Sequence, residues 1–180
     1  MPFVAVDLEP VFGSIDAYTA RIEEGMARLE AATGRPPLAV AHSMGGLALR
    51  RWRAQPGHAA RLQHVVTLGT PHRGTWLARF ALTPNARQMR RDSAWIAALQ
   101  GDERRHAADD FGAFTCFYGH CDNIVFPAHT AALPGADNRH LAGTAHVHMV
   151  DHPEAWAEVE RRLGLTQTER SAGRAAAAAR

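Results

Sequence analysis

The most informative segment of this chain is Leu38-Ala39-Val40-Ala41-His42-Ser43-Met44-Gly45-Gly46. Leu38–Ala41 is a short apolar run that predicts a buried strand, and Gly45-Gly46 leads into a helical pattern that reaches Trp52. A strand, a sharp turn at Ser43 and a helix together present a serine hydroxyl at the carboxyl edge of a sheet. The small residues two before and two after Ser43, Ala41 and Gly45, would let neighbouring backbone approach this turn.

Further strands and helices alternate on both sides of this stretch. The other predicted strands are Phe3–Leu8, His64–Leu68, Phe114–Tyr118 and Arg139–Ala142. Helical patterns run from a cap at Asp16 to Gly34, irregularly through 76–112, and from Pro153 to Leu163. This alternation predicts an α/β protein with a mostly parallel sheet and helices on both faces. We expect one catalytic domain over 1–165, with a lid-like region at 76–112, and a disordered tail over 166–180.

The composition is that of one globular domain. The chain has 180 residues, of which 46% are hydrophobic and 21% charged, enough apolar residues for one core. The formal net charge is only +2, which argues against nucleic acid as a partner. We see no signal peptide and no apolar run of transmembrane length, and this leaves the cellular location unknown.

Two motifs carry a family resemblance. Ala41–Leu47 resembles the nucleophile segment of the lipase branch of the α/β-hydrolase superfamily, and Thr67–Thr75 resembles the strand and loop that follow it there. The resemblance implies a carboxylic ester hydrolase that works through an acyl-enzyme without a cofactor. Ser43 would be the nucleophile, and the N–H of Met44 would stabilise the oxyanion.

The same resemblance implies an acid and a base in the chain order Ser, Asp, His. Asp122 follows a predicted strand, and an apolar residue and a proline come after it, as in the acid loop of these enzymes. His146 lies in the loop after the last predicted strand, with a glycine three residues before it. His148 is the alternative base. Three other carboxylates compete for the role of acid: Asp109, Asp110 and Asp137.

Four nearby side chains have plainer interpretations. His42 and His72 lie inside the two lipase-like motifs, and we expect each to pack beside the turn and donate a hydrogen bond. Cys116 and Cys121 are five residues apart, and free thiols are favoured over a disulfide between them.

A zinc site is a remote alternative. His146-Val147-His148-Met149-Val150-Asp151-His152 resembles the His-x-His-x-Asp-His motif of metallo-β-lactamases, with one extra residue. Imidazole pairs beside a carboxylate can bind zinc. The extra residue and the short remaining chain count against this alternative, so we expect no metal.

The resemblance also implies a missing piece. In these enzymes the second oxyanion donor lies in a loop between the third and fourth strands, and Phe3–Leu8 corresponds to the fourth strand. We therefore expect an N-terminally truncated hydrolase, whose activity is reduced by the loss of one oxyanion donor.

The sequence thus predicts a lipase or esterase that acts on a small acyl ester or a lipid, with association to a membrane surface through that lipid. Trp76, Phe80 and Trp95 are candidates for an acyl pocket, although ordinary core packing is favoured for them. The alternative is a weakly active or inactive hydrolase remnant, or a binding module that uses the same cleft.

Overall fold

The computed structural model describes residues 1–165 and contains one parallel sheet within that range. Its four strands lie in sequence order: β1 (Leu38–His42), β2 (His64–Leu68), β3 (Phe114–Tyr118) and β4 (Asp137–His140). Each neighbouring pair is parallel, so all four carboxyl ends meet at one edge. The predicted α/β fold class is confirmed, and the last strand begins two residues earlier than expected.

Within residues 1–165, five α-helices connect and cover these strands. They are α1 (Thr19–Thr33), α2 (Met44–Arg53), α3 (Pro84–Gln88), α4 (Ala94–Arg105) and α5 (Pro153–Arg162). Ser14, rather than Asp16, caps the first helical segment, because the chain makes a 3₁₀ turn over Ile15–Tyr18 before α1 begins. Gly34 ends α1 in the left-handed conformation that glycine adopts at little cost.

The core has two parts, one on each face of the sheet. Val65 of β2 packs with residues of α1 and α2, such as Ile22 and Leu47. The neighbouring Val66 points the other way and packs with Val159 of α5. Because successive side chains of a strand point to opposite faces, this division places helices on both sides of the sheet.

The predicted strand Phe3–Leu8 is wrong. These residues belong to no strand and pair with no strand of the described sheet. The segment is still partly buried, since Val6 and Leu8 pack against the α1–α2 side of the core. Val6 lies so close to α1 that a methyl group on Gly25 would stand 2.8 Å from it. The apolar residues therefore marked a half-buried segment, but a strand also needs a hydrogen-bonding neighbour.

The region 76–112 is partly helical, as expected. It contains a 3₁₀ turn at Trp76–Phe80 followed by α3 and α4. Within residues 1–165, no helix combines the length and the apolar composition that crossing a bilayer requires. The predicted disordered tail, 166–180, lies outside the described residues.

Candidate active site

Ser43 occupies a strained turn between β1 and α2. Its backbone has φ 53° and ψ −128°, a conformation that costs a non-glycine residue about 1–3 kcal/mol. The Ser43 N–H donates to the carbonyl of Leu68 at 2.9 Å, which continues the β1–β2 ladder by one step beyond the strands. The turn is thereby fixed at the carboxyl edge of the sheet, where the sequence predicts it.

The close approach at this turn occurs at Gly46 rather than at Gly45. A methyl group on Gly45 would meet its nearest neighbours at 3.8 and 3.9 Å, which is ordinary contact. On Gly46 it would lie 2.6 Å from Cγ2 of Thr70, in the loop after β2. The sequence predicted the close approach at Gly45, two residues after Ser43, whereas the structure has it at Gly46, three residues after Ser43.

Asp122 and His146 form a buried hydrogen-bonded pair near the same edge. His146 Nδ1 lies 2.8 Å from Asp122 Oδ2, and only 5% and 2% of the two side chains are exposed. Asp122 lies in the loop after β3, and His146 begins a 3₁₀ turn that follows β4. Two residues that are 24 positions apart are thus brought together by the pairing of β3 with β4.

The pKa of Asp122 is lowered. Burial by itself would raise that pKa, because it disfavours the charged carboxylate. The hydrogen bond with His146 and the N–H groups of Val125 and Ile124, each 2.8 Å from Oδ1, outweigh the burial. Asp122 is therefore an anion, and both of its carboxylate oxygens accept hydrogen bonds.

His42 and Gly69 connect this pair to the turn at Ser43. His42 precedes Ser43 and donates from Nε2 to the carbonyl of His146 at 3.1 Å, with the two rings 4.6 Å apart. A methyl group on Gly69, which follows Leu68, would lie 3.0 Å from His146 Nδ1 and 3.1 Å from Asp122 Oδ2. The strand end that binds the Ser43 N–H therefore also lies against the Asp122–His146 pair.

The other candidates for the acid and the base lie outside the Asp122–His146 pair. His148 is exposed, and the partner of Asp122 is His146. Asp137 begins β4 and pairs with Arg139. Asp110 accepts a hydrogen bond from the Gly112 N–H, and Asp109 is exposed.

The residues of the zinc alternative do not gather around one point. His146 is bound to Asp122, and His148 and Asp151 are exposed. His152 accepts a hydrogen bond from the Glu154 N–H at the start of α5. Within residues 1–165, no three or more His, Cys, Asp or Glu side chains are grouped so that they could hold a metal ion.

Met44 is the first residue of α2, so its N–H has no acceptor inside that helix. The helix N-terminus also favours a negative charge beside Ser43. The Asn85 amide donates to Met44 Sδ at 3.2 Å and to the carbonyl of Val11 at 2.8 Å. No sequence pattern singled out Asn85, because this contact joins three segments that are distant in the chain.

A buried ion pair supports the loop after β2. Arg50 of α2 and Glu103 of α4 are bidentate partners at 2.7 and 2.8 Å, and each side chain is at most 3% exposed. Arg50 also donates to the carbonyl of His72 at 2.8 Å. Sequence reasoning missed this pair, since 53 residues separate its members and neither belongs to a motif.

His72 lies beside β2. It is fully buried, and its Nε2 lies 3.1 Å from the hydroxyl of Thr67. Burial and the neighbouring Arg50 and Arg73 lower the pKa of His72 well below its usual value, so this ring is neutral. Both cysteines are free thiols, with Cys116 buried and Cys121 exposed, as predicted.

The three aromatic residues that were candidates for an acyl pocket do not lie in one place. Trp95 donates from Nε1 to Asp16 at 2.8 Å and packs against the α1–α2 core. Trp76 and Phe80 are exposed, with ring centroids 5.6 Å apart. The favoured core position is therefore wrong for Trp76 and Phe80.

Comparison with solved structures identifies the fold. No protein-family profile matches the chain, and no curated protein matches it in sequence. Lipase B of Aspergillus fumigatus is similar in structure, with a TM-score of 0.70 at 20% identity over 82% of this chain. The mature lipase BlEst2 of Bacillus licheniformis has a TM-score of 0.68 at 14% identity over 86%. Est816, described as an N-acyl homoserine lactone degrading enzyme, has a TM-score of 0.50 at 16% identity over 86%.

These similarities establish a lipase-like α/β-hydrolase fold. The chain spans 41% of the Aspergillus fumigatus lipase B chain and 76% of the mature Bacillus licheniformis chain.

Proposed function

We propose that this chain is a carboxylic ester hydrolase of the lipase or esterase type, with Ser43, His146 and Asp122 as its catalytic triad. The observation that carries the proposal is the buried hydrogen bond between His146 Nδ1 and Asp122 beside the strained turn at Ser43. Strain at one serine is costly to maintain, and functional sites are where such strain concentrates.

In this proposal each nitrogen of His146 has its own role. Nδ1 carries the proton shared with Asp122, so Nε2 is the nitrogen that can accept a proton from Ser43. As Ser43 Oγ forms a bond to the acyl carbon, Nε2 takes the hydroxyl proton. It then gives that proton to the leaving alcohol oxygen as the ester C–O bond breaks.

Water completes the reaction by the same proton movements. His146 accepts a proton from water as it attacks the acyl-enzyme, and returns it to Ser43 Oγ when the acid leaves. In the described structure Ser43 Oγ is not hydrogen-bonded to His146, and such contacts commonly tighten only when substrate binds. The Met44 N–H is the proposed donor to the oxyanion.

The substrate class we propose is an acyl ester or a lipid. It is supported by the lipase names of two structural neighbours and by apolar side chains close to the site. The Thr75 hydroxyl donates to the carbonyl of Ile124, which lies two residues after Asp122. The next N–H along the chain, that of Trp76, donates to the carbonyl of Phe126. Trp76 and Phe126 are both exposed and therefore available to an apolar substrate.

A fluorophosphonate probe tests the nucleophile directly, because it labels an activated serine covalently. We expect the full chain to be labelled and Ser43→Ala not to be. His146→Gln should slow labelling by at least about 10³-fold, since the proton acceptor is lost. His148→Gln is the matched control, because His148 lies two residues away and is exposed.

Two outcomes would contradict the proposal. Labelling that persists in Ser43→Ala would place the nucleophile elsewhere. An unlabelled, folded wild-type chain would favour the alternative of an inactive remnant or binding module.

A further inference from the structure

Two exposed histidines lie side by side at the carboxyl edge of the sheet. His120 follows β3 in the loop that leads to Asp122, and His140 is the last residue of β4. His120 Nδ1 lies 2.7 Å from His140 Nε2, and the two ring centroids are 4.6 Å apart. We call these two residues the 120–140 pair. The proposed hydrolase function gives neither ring a role.

The backbone holds the two rings in this position. Tyr118, two residues before His120, is the register partner of His140 at the end of the β3–β4 ladder. The Leu141 N–H then donates to the carbonyl of Tyr118 at 2.7 Å, one step beyond the strands. A methyl group on Gly119 would stand 2.9 Å from the carbonyl oxygen of Leu141, so the two chain segments touch between the histidines. The pair is therefore built on strand ends that are held together by hydrogen bonds and close packing.

The two facing nitrogens share a single proton. The main-chain N–H of His120 donates to His140 Nε2 at 3.4 Å, so this Nε2 carries a lone pair that points towards His120. The proton between the rings then lies on His120 Nδ1, since a neutral imidazole has one N–H and one acceptor nitrogen. Two imidazole nitrogens thus face one point in space, which is what a cation with nitrogen ligands needs.

The separation of the two nitrogens favours one kind of cation. Two metal–imidazole bonds of about 2.0–2.1 Å put their nitrogens about 2.9 Å apart at a right angle and about 3.4 Å apart at a tetrahedral angle. The observed 2.7 Å is closer to the first value, and a small rotation of the two exposed side chains reaches it. Right-angled nitrogen ligation is typical of copper(II) and nickel(II), whereas calcium and magnesium bind oxygen ligands.

We propose that the 120–140 pair is a binding site for a divalent transition-metal ion of the copper(II) or nickel(II) type. His140 Nε2 binds the metal through the lone pair that it already directs at His120. His120 Nδ1 binds the metal once its proton has moved through solvent to Nε2 of the same ring, so both rings stay neutral. Water fills the other coordination positions, because no third His, Cys, Asp or Glu side chain joins the pair within residues 1–165.

This site is separate from the candidate catalytic residues. His146 Nδ1 and both carboxylate oxygens of Asp122 already have hydrogen-bond partners, and none of these partners belongs to the 120–140 pair. A metal bound at the pair would join the loop after β3 to the end of β4 and would add a link between two strand ends. The proposal does not depend on the proposed hydrolase function.

Calorimetric titration of the untagged full chain with nickel(II) tests the site. We expect the affinity to fall at least about 10²-fold in either His120→Gln or His140→Gln, because a chelate loses the high effective concentration of its second ligand. His129→Gln and His148→Gln are matched controls at exposed rings and should keep the wild-type affinity. An excess of calcium should not displace the nickel, since calcium prefers oxygen ligands.

Two further readouts identify the ligands and the link between the strand ends. Electron spin echo spectroscopy counts the imidazoles on copper(II), and the full chain carrying Cys121→Ser is used because an exposed thiol also binds metals. We expect two imidazoles, and fewer than two once His140→Gln is added. In urea unfolding, nickel(II) at about 100 times its Kd should raise the folding equilibrium constant about 100-fold in the wild type. His140→Gln should show no such rise.

Three outcomes would overturn the proposal. Wild-type nickel affinity in both His120→Gln and His140→Gln would place the metal elsewhere. Loss of binding in His148→Gln would assign the metal to the segment after β4, and a single imidazole on copper(II) in Cys121→Ser would exclude a chelate. Nickel binding at the pair without fluorophosphonate labelling of the wild type would refute the proposed function and retain the metal site.

Discussion

At Asp122 the two carboxylate oxygens have different partners, and this division gives the residue its proposed role. Oδ1 accepts two main-chain N–H groups, which hold the carboxylate in place. Oδ2 is left for His146 Nδ1 and fixes the tautomer of that ring. A neutral amide could keep the shape of this arrangement but not its electrostatics.

Asp122→Asn tests that division. The amide would donate to Nδ1 and so leave the proton on Nε2, where it blocks acceptance of the Ser43 proton. We expect ester hydrolysis to fall about 10⁴-fold in kcat, with the far-ultraviolet circular dichroism unchanged. Asp109→Asn, at an exposed carboxylate, should keep full activity. A loss of less than tenfold in Asp122→Asn would remove Asp122 from the proposed triad.

Among the elements around Ser43, α2 packs tightly against the loop after β2. Gly46 in the first turn of α2 lies against Thr70, which is buried and whose hydroxyl has no partner in the described chain. Thr70 directly follows Gly69 in the chain, and Gly69 lies against Asp122 and His146. Displacement of this loop would therefore move the candidate acid and base relative to Ser43.

Gly46→Ala and Gly101→Ala form a matched pair for this contact. A methyl on Gly46 would clash with Thr70, and we expect a loss of roughly 1–3 kcal/mol in the free energy of unfolding. Apart from its chain neighbours and the backbone of α4 itself, no atom lies within 4 Å of a methyl on Gly101, so that variant should gain about 0.5–1 kcal/mol. Urea unfolding measures both, and fluorophosphonate labelling should slow only in Gly46→Ala. A stabilised Gly46→Ala would contradict the proposed contact.

At the scale of the whole molecule, the face covered by α5 holds two buried groups that respond to acid. Glu158 is buried, which by itself would raise its pKa, but hydrogen bonds from Arg161 and Arg162 and the charge of Arg139 lower the pKa to about 2. His64 of β2 is buried as well, and burial lowers its pKa from 6.5 to about 4. A fall in pH therefore lowers the stability of the native state through both groups.

For His64 the sign is fixed by the lowered pKa. Between pH 6.5 and about 4 the unfolded chain binds a proton at His64 that the folded chain excludes, so stability is lost as the pH falls through this window. His64→Gln should reduce that loss by up to about 3 kcal/mol in urea titrations from pH 7 to pH 4. His148→Gln, at an exposed ring, should retain the wild-type slope. Parallel curves for wild type and His64→Gln would exclude this origin.

Local patterns in the sequence predicted most of the elements around the turn and their order. Apolar runs predicted β1, β2 and β3, and the weaker pattern at Arg139–Ala142 overlaps β4 at Arg139 and His140. Glycine and proline marked the C-terminal end of α1 and the start of α5, because these signals act within a few residues. Ser43, Asp122 and His146 were predicted by a resemblance that depends on local motifs and chain order. Their catalytic roles remain predictions that the proposed labelling tests.

The tertiary structure brings particular members of this set together. It joined Asp122 to His146 rather than to His148, left Phe3–Leu8 outside the sheet, and moved the close approach from Gly45 to Gly46. The Arg50–Glu103 pair and the exposure of Trp76 and Phe80 also came from the structure alone. The physical reason is the same throughout: local patterns specify helices and strands, whereas contacts between residues tens of positions apart depend on strand order and on how helices pack against the sheet.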